Sequence, residues 1–185
     1  MRKLDWRELY HFWFDRIEIT QQYYQTNVPR WFYGNNPAFD QKCKERFSPW
    51  LKNFDLTHFE DWTKTAEGYV TLIILLDQIP RNSFRGSKES FLYDPFARNL
   101  SLSALNTFIE HDLSMVEKLF LYLPLEHAES KQWQSLSVKK YQELNQISPA
   151  EIKEFTELSL SKAIEHQKSI EQYGRFPSRD KILGR

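Results

Sequence analysis

Three short stretches gather the side chains able to hold charge or move protons. DQIPRNSFRG, residues 77–86, places Asp77, Gln78, Arg81, Asn82 and Arg85 at the end of an apolar helical run. YLPLEHAES, residues 122–130, offers Glu126 and His127 side by side, and YGRFPSRDKILGR, residues 173–185, adds Arg175 and Arg179 around Phe176 and Pro177. Four arginines in turns beside only a few acids suit an anion or carboxylate pocket, because the planar guanidinium fork binds such groups bidentately. The competing reading is internal: Asp77, Glu126 and Asp180 neutralise the arginines and lock helix ends together. Adjacent helical residues point in different directions, so Glu126 and His127 are expected to have different partners.

His166 is the remaining candidate for proton transfer. It lies three residues after Ala163 and four before Ile170, with Tyr173 continuing the stripe, so it is expected to face inward. Such an imidazole is either a hydrogen-bonded core residue or a proton-transferring and ligand-binding group; imidazole as a class titrates near ~6.5. Asp77, Glu126, His127 and His166 are acceptable metal ligands by type. No HExxH or other helical ligand spacing fixes their geometry, and nearby arginines oppose a dication, so no metal is expected. Neither a phosphate-binding glycine loop nor a nucleophile elbow occurs, and no cofactor is expected.

The elements that must position these residues are read as helices. Glycine is scarce, 5 residues in 185, where strands joined by tight turns need more. Asn36-Pro37, Asp94-Pro95 and Ser148-Pro149 each place an oxygen acceptor at a helix cap and a preset φ after it. Thr57 to Glu60 reads as a capping box. These signals predict helices over 5–15, 37–53, 58–78, 95–109, 114–122, 130–145 and 149–173, with Gly174 ending the last. In the third, Val70, Ile73 and Asp77 share one face, so Asp77 is a carboxylate on a buried stripe and needs a partner, expected to be an arginine of 81–85 or 175–179. Pro80 and Pro124 are expected to stop or interrupt their helices. Short loops predict one all-α domain over residues 1–185, built as an antiparallel helical bundle. Its 14 Phe, 9 Tyr and 6 Trp fill irregular helix crossings, although Trp13, Trp31 and Phe32 at the N-terminal end could line a groove instead.

Composition removes several function classes. Lys plus Arg equal Asp plus Glu at 25 each, so no global charge favours nucleic acid or an anionic membrane. The longest apolar run, around Val70 to Leu76, falls far short of the roughly 20 residues of a spanning helix, and MRKLDWRELY lacks a signal-peptide core. A soluble cytoplasmic protein is expected. Cys43, beside Lys42 and Lys44, is the lone cysteine and is read as an ordinary thiol on a helix, although those lysines could lower its pKa.

The three stretches DQIPRNSFRG, YLPLEHAE and GRFPSRDKILGR together resemble the signatures of the bacterial domain of unknown function 924 family, which read DQFPRN, YLPLEHSE and GRFPHRN followed by LGR. FWF at 12–14, Trp31 with Phe32, and Trp62 fall in the same order, so the resemblance spans nearly the whole chain. It implies an all-helical fold similar to tetratricopeptide-repeat proteins, a short superhelix, with no established activity. Ala128, Ser178 and Asp180 stand where the family has serine, histidine and asparagine, and the family pattern continues beyond position 185 into an acidic, helix-like tail. Two function classes follow. One is a small-molecule site, an enzyme or not, in which arginines hold an anionic ligand while Glu126, His127 or His166 moves protons. The other is a helical module that binds a peptide or protein partner in an apolar groove lined by Trp31, Phe32 or Trp50, an analogy of fold alone.

Overall fold

The computed structural model describes residues 4–17, 20–32, 36–52 and 54–185, and among them every regular element is helical. In chain order these are α1 (Trp6–Phe14), α2 (Gln21–Phe32), α3 (Pro37–Arg46), α4 (Ala66–Ser83), α5 (Asp94–Ala104), α6 (Phe108–Asp112), α7 (Met115–Glu126), α8 (Lys131–Gln146), α9 (Ala150–Tyr173) and α10 (Asp180–Leu183). Shorter 3-10 segments lie at Ser48–Leu51, Leu56–Lys64, Lys88–Phe91 and Pro177–Arg179.

Helix α4 is the centre. It is apolar nearly all round, a composition stable only when every face is covered, and α1, α3, α5 and α7 pack around it. Helices α7, α8 and α9 pack successively, and α2 closes on α9. The α1, α2 and α7 faces meet through aromatic rings: Phe120 lies 5.7, 5.3 and 5.2 Å from the centroids of Trp13, Phe14 and Trp31, each near edge-to-face. Trp13 and Trp31 are therefore core residues rather than groove walls, and Trp31 Nε1 donates to the Trp13 carbonyl. Trp50 is half-buried against Phe47 and Trp62. The side chain of Phe32 lies outside the described residues.

Local signals explain most boundaries. Asn36 caps α3 by accepting from Phe39 N, as the sequence predicts. Ser114 and Glu117 form a reciprocal capping box that starts α7. Gly174, with φ 69°, ends α9 in the left-handed conformation favoured at that position. Several expectations fail. Helix α2 went unread because Pro29 lies inside it and its first turn is rich in glutamine; Thr20 Oγ1 accepts from Tyr23 N at its start. The expected helix over 58–78 is two elements, a 3-10 segment capped by Asp55 and α4 capped by Thr65, so the box at Thr57 is not the start signal. The expected helix over 37–53 ends at Arg46, ahead of Pro49, and position 53 lies outside the described residues. The helix over 95–109 breaks at Asn106, φ 60°, before Thr107 caps α6. Pro80 and Pro124 do not end their helices. Each removes one N–H near a C-terminus, and the last turn is still closed by Phe84 N to Pro80 O and by His127 N to Leu123 O, both 2.9 Å. Cys43 is fully buried, and burial pushes its thiol up to about 12, which outweighs nearby cations.

The junction at Thr65 is tight enough to test. A Cβ on Gly68 would lie 2.4 Å from the Trp62 carbonyl oxygen and 3.0 Å from Thr65 Oγ1. In an open helix Gly→Ala stabilises by up to about 1 kcal/mol, but here Gly68→Ala is expected to cost about 1–3 kcal/mol through overpacking. Thermal unfolding measures it, and a stabilised variant would show that the 3-10 segment yields.

Among the described residues no helix is long and apolar enough to cross a membrane.

Candidate functional site

The C-terminal turns of α4 and α7 meet beside α9, which brings two of the three chemical stretches together. Asp77 projects from the buried face of α4 and is 1% exposed. Its Oδ1 lies 3.1 Å from Arg81 Nη1 and 2.9 Å from His127 Nδ1, while Gln78 Nε2 donates to Oδ2 at 2.6 Å. Because an ionised carboxylate only accepts, the proton of this His127 contact sits on Nδ1. Burial alone would raise the Asp77 carboxyl; Arg81, then His127 and Gln78, more than offset it and hold the group well below the usual carboxylate range. The contact to an arginine of the 81–85 stretch is thus formed.

Arg81 has a second acid that the sequence did not disclose. Its Nη1 and Nη2 donate bidentately to Asp94 at 2.7 and 2.9 Å, and Nη1 also donates to the Asp77 carbonyl at 2.8 Å. Burial opposes the guanidinium charge, and Asp77 and Asp94 override it, keeping Arg81 firmly protonated. Asp94 read as a helix cap from its proline neighbour, but Tyr93 occupies that position and the Asp94 side chain turns to Arg81.

Glu126, 4% exposed, faces the other way, as its adjacency to His127 predicts. Its Oε1 lies 2.9 Å from His166 Nδ1. The two atoms are close but out of line for a hydrogen bond, so His166 Nδ1 is a buried nitrogen without an aligned partner. The Tyr141 hydroxyl stands beside the same carboxylate and donates to the Leu119 carbonyl at 3.1 Å. Burial first, and Glu126 second, push its pKa far up. Tyr141 lies mid-helix in α8 with no sequence signal that separates it from core aromatics. His166 is half-exposed and its ring packs edge-on to Phe176, centroids 5.1 Å apart. Tyr173, expected on the same buried stripe, is 49% exposed instead.

Two cavities flank His127. One, about 200 Å³, is lined by Glu126, His127, Tyr141, Lys162 and His166 over a floor of Leu123 and Phe155. The other, about 150 Å³, is lined by Gln78, Arg81, Asn82, Arg85, Trp31 and again Leu123 and His127. His127 therefore stands in the wall between them. Its Nδ1 is committed to Asp77, and among the described residues nothing hydrogen-bonds its Nε2.

The arginines do not all converge. Arg81, Asn82, Gln78 and Arg85 share the smaller cavity, with Arg85 half-exposed and held by Asp40 at 3.0 Å. Arg175 does not join them: it is exposed on the C-terminal turn and pairs with Asp180 at 3.0 Å, five residues away, because Gly174 turns the chain outward before it. Arg179 is sandwiched between Phe91 and Phe176, 4.6 and 4.5 Å from the ring centroids, and donates to the His127 carbonyl at 3.0 Å. Burial and the neighbouring Arg81 lower its pKa against the pull of Asp94. It braces His127 from behind rather than lining either cavity. Among the described residues no three His, Cys, Asp or Glu side chains are grouped to hold a metal ion.

A family model described as "Bacterial protein of unknown function (DUF924)" matches residues 9–185. Among solved structures, the protein of unknown function ATU0120 from Agrobacterium tumefaciens is similar, with 29% identity, a TM-score of 0.78, and coverage of 97% of this chain and 90% of that one. No curated protein matches.

Proposed function

Because the chain belongs to the DUF924 family of bacterial proteins of unknown function, its activity is read from the site, and we propose an acid–base site acting on a small anionic ligand. One observation carries this reading: two imidazoles, His127 and His166, face one cavity, and each has Nδ1 against a buried carboxylate, Asp77 or Glu126. At His127 the hydrogen bond to Asp77 fixes the tautomer and leaves Nε2 as the working nitrogen, whereas Glu126 lies beside His166 Nδ1 without a hydrogen bond that would fix its tautomer. Two imidazoles on one cavity allow one ring to remove a proton while the other delivers one. The adjoining cavity supplies Arg85, the edge of Arg81 and the amides of Gln78 and Asn82, groups suited to a carboxylate or phosphate. Arg81 and Arg179 are largely consumed by internal contacts, so Arg85 is the cation most able to exchange Asp40 for a ligand.

A tetratricopeptide-like course of the helices, with a peptide ligand, has less support. The tryptophans that would line its apolar groove are core residues or packed against other rings.

Thermal shift and ring-nitrogen NMR with phosphate, sulfate and acetate test the proposal. A ligand at 100 times its dissociation constant stabilises by roughly 2.7 kcal/mol. At least one anion should raise the melting temperature of the wild type, raise it less in Arg85→Ala, and move the His127 and His166 ring signals. If no anion does so, the acid–base reading is wrong.

A further inference from the structure

The arginine cavity holds a donor and an acceptor within one small space. Arg85 Nε and Nη2 hold the two oxygens of Asp40 at 3.0 and 3.1 Å, and Nη2 also donates to Asn82 Oδ1 at 3.2 Å. The guanidinium is thereby oriented, while among the described residues its Nη1 makes no hydrogen bond. Arg81 is committed to Asp77 and Asp94, so Arg85 Nη1 is the cationic donor open to a ligand. Asp40 can yield the other edge, because a half-exposed ion pair adds little net stability. A carboxylate is the group this fork already holds, and a ligand carboxylate suits it by the same planar match.

His127 lines the same cavity with the opposite need. Its Nδ1 carries the proton given to Asp77, so in the neutral ring Nε2 holds a lone pair and accepts. Arg179 holds the His127 carbonyl from behind and steadies the backbone that presents the ring. The ligand's donor must be uncharged: among the described residues no acid lines this cavity, whereas Arg81 and Arg85 do, and they repel a cation. A hydroxyl fits and an ammonium does not. Size sets the rest, since the cavity holds about 150 Å³ and a cavity of roughly that volume takes a molecule as small as benzene.

We propose that the ligand is a small 2-hydroxy carboxylate, with its carboxylate on Arg85 and its hydroxyl donating to His127 Nε2. The inference rests on the acid–base reading and adds the substrate class: a planar anion with one neutral hydrogen-bond donor on the adjacent carbon, held within a single cavity. Leu123, shared with the two-histidine cavity, gives the carbon skeleton an apolar wall on the side toward His166.

The test uses glycolate, methoxyacetate, acetate and glycine. Affinities are measured by calorimetry, and the His127 and His166 ring-nitrogen signals are followed by NMR. Glycolate and methoxyacetate carry an oxygen at the same position, but only glycolate can donate. Glycolate should bind the wild type about threefold or more tightly than methoxyacetate or acetate, the scale of one net hydrogen bond, and should shift the His127 Nε2 signal where methoxyacetate does not. Glycine should bind more weakly than glycolate. In His127→Phe the glycolate advantage should vanish while acetate still binds; if that variant does not fold, the comparison of glycolate with methoxyacetate on the wild-type Nε2 signal decides alone. If glycolate and methoxyacetate bind alike and both move the imidazole signals, if the advantage survives His127→Phe and so belongs to Gln78, or if glycine binds best, the hydroxy-acid class is refuted and the acid–base site stands. If no probe moves the imidazole signals, both fall.

Discussion

Asp77→Ala should cost the protein about 3–5 kcal/mol, a large share of the stability of an ordinary domain, because it strips one partner from a buried charge network. Arg81 would keep Asp94, but its contact to Asp77 Oδ1 and the bonds from Gln78 and His127 would all end on nothing. Denaturant unfolding measures the loss, and a value below about 1 kcal/mol would mean that water replaces the carboxylate. The same group sets an acid-side dependence. Its folded pKa is depressed by Arg81, His127 and Gln78 against the opposing effect of burial, so its contribution is full above the unfolded value near ~4 and is lost as pH falls below it. Asp77→Asn, which cannot titrate, should be less stable at neutral pH and should show a shallower decline on acidification than the wild type.

Phe120→Ala should be comparably damaging, at about 3–5 kcal/mol. The ring is 1% exposed and touches Trp13, Phe14 and Trp31, so its removal opens a cavity where α1, α2 and α7 meet. Large neighbouring rings cannot collapse into such a space without leaving their rotamers. Equilibrium unfolding gives the cost, and a loss under about 1.5 kcal/mol would show that the aromatic cluster repacks. Because Phe120 lies on the helix that ends in Glu126 and His127, the variant should also broaden the His127 ring signal.

What the sequence disclosed follows a physical division. Period-3.6 patterning put Asp77 on a buried face, which forced a partner into existence, and Arg81 one turn on was near enough to be that partner. The opposed directions of Glu126 and His127 followed from helix geometry alone. Asp94 and Tyr141 escaped because their importance is set by distant contacts, 13 residues from Arg81 and 22 from Leu119, which no local signal encodes. Arg175 misled for the converse reason: a local acid, Asp180, five residues on, captures it. Pro80 and Pro124 each read as breaks, yet in both cases the surrounding packing keeps the helix going at the cost of one backbone bond, as it does at Pro29 inside the unread α2.

The brace that Arg179 applies to His127 also orders events during synthesis. Asp77 and Arg81 leave the ribosome together, but His127 follows 50 residues after Asp77, and Arg179 comes 52 residues later still. Until then α4 is an almost wholly apolar helix with a carboxylate and a guanidinium at its end and few of the groups that will cover them. Contacts of such long sequence separation form late and slowly. An incomplete chain therefore carries the apolar centre of the molecule before the contacts that place its chemistry can form.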